Sequence, residues 1–358
     1  MGRMRLAIVG GGAKAAAIAA KAACLKAVRK IEIETVIFER ARIGANWNGS
    51  HGYTDGRQSL CTPAERDLGF PYELATYGDA VASRMQANFS WAAFMVSTER
   101  YGDWVDSGRP PPSHREFADY LDFCVKRSKA GLVSGDVVSL DHADGLWRVG
   151  YETASKTRRS KEGFDGVVVT GTGPAKRIST FTDRRLFDGR SFWNALTILP
   201  GLAAAAPESP IVVLGSGGTA AACAGWLVRA GIPNQIVILG RSPTLFARTD
   251  SAFENRVFRD EDAWRSLSFD DRRRFTERLT RGAVWQSVLD VLGRAKNVEV
   301  RQGEITSIQL SSPGSPSLSC RQSIDRLNRR FSGPQPPWAS PSWPLHGDPT
   351  QAASTGSL

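Results

Sequence analysis

The chain has 358 residues, 41% of them hydrophobic and 23% charged, enough apolar material for two cores and too little charge for a disordered chain. Its formal net charge of +10 comes from scattered Lys and Arg with no long basic run and no nucleic-acid motif, so a basic enzyme binding anionic cofactors is expected and nucleic acid is not. Five cysteines without a C-x-x-C pair suit a reducing cytoplasm, and four widely spaced histidines argue against a metal centre. No stretch is long enough to span a membrane, and Lys14, Lys21 and Lys26 interrupt the Ala-rich N-terminus where a signal peptide would be unbroken.

In chain order, Leu6 to Val9 reads as a short strand buried on both faces. Gly10, Gly12 and Ala15 follow in the G-x-G-x-x-A spacing. An Ala-rich helix is predicted from about residue 13 to 28, and a second strand from Thr35 to Phe38. Glu39 closes that strand, where a dinucleotide fold places the acid that binds a ribose hydroxyl. Gly10 permits the tight turn, Gly12 lets a pyrophosphate approach the backbone, and Ala15 lets the helix pack on the strand. The helix N-terminus offers free N–H groups to the phosphates.

Residues 44 to 72 form a long Gly-, Asn- and Asp-rich loop whose aromatic residues, Trp47, Tyr53, Phe70 and Tyr72, argue for order. Helical spacing follows from about residue 80 to 105 and from Ser113 to Ser128. In the second run Ser113 and Glu116 compose a capping box, and Phe117, Tyr120, Leu121 and Cys124 make a core-facing stripe. Weak alternation at residues 132–140 and 146–151 predicts a small antiparallel piece. Next, Phe164-Asp-Gly-Val-Val-Val-Thr-Gly171 reads as a buried strand ending in a close backbone turn.

A second phosphate motif begins at Ile211. Gly215, Gly217 and Ala220 repeat the first spacing, a helix runs to about Arg229, and Ile236 to Leu239 is the next strand. Here no acid follows; Arg241 and Ser242 do, and those donors suit a ribose 2′-phosphate. An acid on the first loop and an arginine on the second read as FAD first and NADPH second. Gly171 then lies where a strand-turn links the two halves of a two-nucleotide flavoprotein, and the 44–72 loop is placed to cross the isoalloxazine ring.

Several stretches resemble the flavin-dependent N-hydroxylating monooxygenases of siderophore synthesis, above all the mycobactin-type L-lysine N6-monooxygenases. They are Gly10 to Ala15, Gly44-Ala-Asn-Trp47, Tyr53 to Gly56, Asp67-Leu-Gly-Phe-Pro-Tyr72, Gly108-Arg-Pro110, His114-Arg115 with Tyr120-Leu121, Thr244-Leu-Phe246, and Phe253-Glu-Asn255 with Phe258. The resemblance spans about residues 5 to 310. It implies an α/β protein with two Rossmann-like domains, an FAD domain carrying an inserted NADPH domain, and a helical substrate segment. The implied division is 1–178 for FAD (80–128 helical), 179–209 as connector, and 210–310 for NADPH with a substrate-contact loop.

The implied reaction is N6-hydroxylation of L-lysine, or of a lysyl siderophore precursor, with O2. NADPH reduces FAD, a C4a-hydroperoxyflavin forms, and the neutral amine attacks it, so the flavin performs the chemistry and no protein side chain is assigned as catalytic. The resemblance places Trp47 near the flavin and Asn255 on the substrate. Arg66 stands where the family commonly has a lysine reaching the substrate carboxylate, and Arg248 joins Arg241 at NADPH. A second substrate Asn or Asp expected near Thr280-Arg281-Gly282 is absent. Lysine is preferred over ornithine, and a homo-oligomer is left open.

Two other readings make different demands. A Baeyer–Villiger or flavin-containing type monooxygenase carries F-x-G-x-x-x-H, but Phe187-Asp-Gly-Arg-Ser-Phe-Trp193 ends in Trp. A non-catalytic flavoprotein remnant is the other. It is prompted by residues 311–358, which are rich in Pro and Ser, lack Lys and Glu, and read as a disordered or non-native tail where relatives complete the FAD sheet.

Overall fold

In the computed structural model, residues 3–51, 54–72, 78–171, 183–247, 251–279, 284–311 and 315–321 are described. The first strand, β1 (Met4–Val9), leads through the glycine turn into α1 (Ala13–Arg29) and then β2 (Ile33–Glu39). β1 and β2 pair in parallel from Met4↔Ile33 to Val9↔Phe38. Only small residues on α1 allow so close an approach: Ala15, Ala16, Ala19 and Ala20 are all buried.

The run predicted as helix near residues 80–105 is three pieces, α2 (Asp79–Phe89), α3 (Trp91–Ser97) and α4 (Tyr101–Asp106). Ser90 breaks the first from the second, because its extended backbone lets its hydroxyl accept from Ala93 N and cap α3. The next helix, α5 (His114–Ser128), starts on the predicted capping box: Ser113 Oγ accepts from Glu116 N, and Glu116 Oε2 accepts from Ser113 N. Its stripe is core, with Tyr120, Leu121 and Cys124 fully buried against Trp91, Phe94 and α1.

The antiparallel piece needs correcting in part. Strand β3 (Gly131–Ser134) pairs in parallel with β2 and belongs to the nucleotide sheet, whereas β4 (Asp136–Ala143), β5 (Leu146–Glu152) and β6 (Thr157–Arg159) form the antiparallel unit. The chain then returns through β7 (Gly166–Val169), parallel to β1, giving the sheet order β3-β2-β1-β7.

Short helices α6 (Ser191–Asn194) and α7 (Leu199–Ala204) occupy the connector. They cover a second parallel sheet built from β8 (Ile211–Leu214), α8 (Gly218–Arg229) and β9 (Ile236–Gly240). Four helices follow: α9 (Ala252–Arg259), α10 (Glu261–Ser266), α11 (Phe269–Leu279) and α12 (Gln286–Arg294). Strand β10 (Val298–Gln302) completes the order β10-β9-β8.

The stretch expected as a tail from residue 311 is strand over Ser315–Arg321. β11 (Glu304–Ser311) and β12 (Ser315–Arg321) form an antiparallel hairpin with Leu310 opposite Pro316 and Ile308 opposite Leu318. The signal was the alternation Pro316, Leu318, Cys320 between serines, a period of two inside a Pro/Ser-rich context. Residues 322–358 lie outside the described residues.

Candidate active site

The first glycine loop divides its labour. Gly10 has φ +97°, and a Cβ there would stand 2.7 Å from Thr170 Oγ1. That hydroxyl donates to Val9 O at 2.8 Å, so the end of β7 locks the turn. Gly12 has an ordinary φ of −87° and nothing within 4 Å of a built Cβ. No backbone or packing demand of the protein explains a glycine there; a group approaching the N-terminus of α1 does. Ala15 is fully buried against the sheet. Glu39 is at the end of β2 as predicted, and its carboxylate accepts from Gly11 N at 2.6 Å and Ala41 N at 2.9 Å, bracing the loop beside the ribose position. Gly171 follows β7 and is exposed, and the turn after it lies outside the described residues.

The second loop repeats the design. Gly215 has φ +114°, while Gly217 caps α8 at φ −97° with nothing within 4 Å of its Cβ position. Ala220 is buried on the helix face. Arg241 directly follows β9, and Gln302 Nε2 donates to its carbonyl, holding the turn against β10. Its side chain is exposed, and among the described residues its guanidinium has no hydrogen-bond or ion-pair partner. Half-buried Ser242 sits beside it. A free cation and a hydroxyl at this edge fit a 2′-phosphate. Arg248 lies outside the described residues.

Between the two halves lies a cleft of about 900 Å³. Trp47, Gln58 and His114 line one wall, and Gly218 and Thr219 at the start of α8, with Trp226 and Trp285, line the other. Trp47, expected near the flavin, therefore lies on this cleft. Gln58 and His114 on the Trp47 wall were given no site role from sequence. Residues 56–60 are stitched to the start of α5: His114 N donates to Gln58 O at 2.7 Å, Leu60 N to Pro112 O at 2.8 Å, and Arg115 N to Gly56 O at 3.0 Å. The stitch presents His114 edge-on to Trp47, ring centroids 4.9 Å apart, with Nδ1 2.7 Å from Thr54 Oγ1. Burial holds the His114 pKa below its ordinary value, against the pull of Asp55. Gln58 Nε2 is sealed from solvent with no acceptor among the described residues. The signal that could have found them was the polar cluster Thr54 to Ser59 facing the matched His114-Arg115 pair.

The two predicted substrate residues do not line this cleft. Arg66 is half-buried with its guanidinium 5.6 Å from the Phe70 ring centre. Its loop is clamped: the Asp67 carboxylate accepts from Trp91 N, Gly69 N and the Tyr72 hydroxyl, and Tyr120 Oη accepts from Leu68 N while donating to Phe89 O. Burial raises the Asp67 pKa in spite of these donors, and raises those of Tyr72 and Tyr120. Asn255 is half-buried in the first turn of α9. Its neighbour Glu254 pairs with Arg278, tying α9 to α11. Tyr53 and residues 280–282 lie outside the described residues. Trp193, where the alternative fingerprint has His, is buried in the second core. Among the described residues no group of three or more His, Cys, Asp or Glu could hold a metal, and no helix is long and apolar enough to cross a membrane.

Comparison with known proteins gives the family. The profile of the L-lysine 6-monooxygenase/L-ornithine 5-monooxygenase family matches residues 78–294. The chain is 30% identical over 353 residues to the L-lysine N6-monooxygenase MbtG of Mycobacterium tuberculosis, covering 95% of this chain and 79% of the relative. It is 31% identical over 348 residues to MbtG of Mycolicibacterium paratuberculosis, covering 94% and 78%. Among solved structures, the lysine monooxygenase NbtG of Nocardia farcinica superposes with a TM-score of 0.73 at 30% identity, covering 90% of this chain and 76% of NbtG. The chain belongs to the L-lysine 6-monooxygenase/L-ornithine 5-monooxygenase family.

Proposed function

We propose that the chain is an FAD- and NADPH-dependent monooxygenase that hydroxylates the N6 amine of L-lysine for siderophore biosynthesis. The observation that carries the reading is the pair of matching glycine loops, each with an open backbone position, at Gly12 and Gly217, with an acid at the first and, at the second, an arginine that has no partner among the described residues. Gly10, Gly12, Ala15, Glu39, Trp47 and Gly171 hold FAD in this reading. Gly215, Gly217, Ala220, Arg241 and Ser242 hold NADPH, and Arg66 and Asn255 receive the amino acid. The bound flavin supplies the redox chemistry, taking a hydride and activating O2.

The chain's part is placement and exclusion of water. The free N–H groups of α1 and α8 bind the two pyrophosphates, Trp47 covers the ring, and the clamp on Asp67 keeps Arg66 in place for a carboxylate. In this reading residues 1–178 and 210–310 are the FAD and NADPH units, joined by 179–209. The test is purified protein with FAD, NADPH and L-lysine, scored for flavin absorbance and for hydroxylamine. A stoichiometric yellow protein that forms N6-hydroxylysine supports the reading. NADPH oxidation that stays uncoupled at every amine tried overturns it, and a protein that takes up no flavin is a non-catalytic remnant.

A further inference from the structure

We propose that His114 is a tautomer-fixed hydrogen-bond donor to the acceptor edge of the flavin, and that Thr54 is the positioning residue that fixes the tautomer. The inference rests on the reading of the cleft as the flavin site given above.

The argument is one of satisfying each polar atom. Thr54 is 1% exposed, so its hydroxyl cannot turn to water. Its oxygen already accepts from Gly56 N at 3.1 Å, and its only other side-chain partner among the described residues is His114 Nδ1 at 2.7 Å. If Nδ1 carried the proton, the Thr54 hydroxyl proton would be buried with no acceptor among the described residues, an arrangement folded proteins avoid. If Nδ1 is bare, Thr54 donates to it and every atom is paired. The proton of the neutral imidazole then sits on Nε2. Neutrality has two causes: burial lowers the pKa, and His114 is the first residue of α5, where the positive end of the helix dipole opposes a second proton.

The location of Nε2 decides the use. It has no partner among the described residues, yet it is not one of the sealed polar atoms, so it opens onto the cleft that His114 lines. Beside the Trp47 ring, then, the wall offers the Nε2–H donor and calls for an acceptor. An ammonium group brings only donors and gains nothing there. A flat heteroaromatic ring edged with carbonyl oxygens and an imine-type nitrogen accepts from Nε2 while packing on the indole, and that is the chemistry of a flavin.

The decisive measurement is long-range 1H–15N correlation on histidine-labelled protein, with the His114 signals assigned from H114Q. The expected result is the Nε2–H pattern in the flavin-free protein at neutral pH and a shifted Nε2 when FAD is added. FAD titrations of variants accompany it. H114L weakens FAD binding roughly tenfold, T54V weakens it several-fold with a mixed tautomer, and H114Q, whose amide can reach the Nε2 position, stays within about twofold of wild type. Thermal unfolding confirms that the variants are folded, and the wild-type spectrum does not depend on them. An Nδ1–H pattern, or an H114L protein that binds FAD as wild type does, overturns this inference and leaves the proposed function standing. A wild-type protein that takes up no FAD overturns both.

Discussion

Replacing the two outer glycines of the first loop by alanine separates folding from binding. At Gly10 the added Cβ is forced into φ +97° and stands 2.7 Å from Thr170 Oγ1. The backbone strain costs about 1–3 kcal/mol, and displacing the Thr170 hydroxyl from Val9 O forfeits about 1 kcal/mol more. G10A is therefore destabilised by roughly 2–4 kcal/mol, a fall in melting temperature of roughly 3–5 °C for a chain of 358 residues. At Gly12 the backbone is extended, φ −87° and ψ −168°, and the Cβ meets nothing within 4 Å. The weaker N-cap, about 0.5–1 kcal/mol, is offset by a similar loss of unfolded-state entropy. G12A thus melts within about a degree of wild type.

Its methyl group nevertheless occupies the space through which a pyrophosphate reaches the α1 N–H groups. Loss of one or two charge-assisted hydrogen bonds weakens FAD about 10- to 100-fold. Melting of the flavin-free proteins by circular dichroism and FAD titration by fluorescence measure the two effects. A G12A protein with wild-type FAD affinity, or one that melts as low as G10A, refutes the assignment of the loop. The second loop provides the control. G217A should lose NADP+ affinity and keep FAD, while G215A, whose Cβ lies a comfortable 3.7 Å from Ala220 Cβ, carries the φ strain without the clash and is milder than G10A.

Arg241→Ala raises the KM for NADPH roughly tenfold and leaves that for NADH unchanged, because only the 2′-phosphate meets the guanidinium; an equal effect on both coenzymes, in steady-state kinetics, removes Arg241 from the site. Arg66→Ala and Asn255→Ala each raise the KM for L-lysine at least tenfold while leaving FAD content unchanged; loss of flavin instead would show that these residues support the fold and do not receive substrate. The His114 pKa lies below 6.5 in the folded protein, so between the two values the unfolded chain binds more protons. That contribution to stability is complete above pH 6.5 and is lost as the pH falls through 6.5 towards the folded pKa. The raised pKa of Asp67 acts in the opposite sense but equally in both proteins of the comparison. The melting temperature of wild type should drop more than that of H114Q between pH 7 and 5, and parallel curves would contradict a buried neutral His114.

Features encoded within one or two turns of chain could be read from the sequence. The glycine spacings, Glu39, Arg241 and the Ser113–Glu116 capping box each pair a residue with backbone a few positions away or at a predicted strand end, so local pattern suffices. The partner of a strand is another matter. Gly131–Ser134 carries the same weak alternation whether it joins β4 or β2, and what selects β2 is the α5 crossover plus a contact in which Gly131, lacking a Cβ, admits the Val36 side chain. The hairpin of β11 and β12 was hidden by its composition, since proline and serine outweighed a period of two that was present in the letters.

The candidate site splits along the same line. Each glycine loop is one contiguous motif and was visible; the cleft wall of Trp47, Gln58 and His114 is not contiguous. Thr54 and His114 are sixty positions apart, and each alone is an unremarkable polar residue in a loop or at a helix start. They acquire meaning through the stitch of residues 56–60 onto residues 112–115, which closes off the Thr54 hydroxyl and so decides where the proton of His114 resides. The specificity of such a site is therefore carried by hydrogen-bond bookkeeping across the fold, and a substitution at Thr54, which touches no ligand, is expected to alter the donor offered to one. Trp47 is the bridge between the two kinds of information. Its motif flags it in the sequence, but only its contact with His114 places it on the same wall of the cleft as the proposed Nε2 donor.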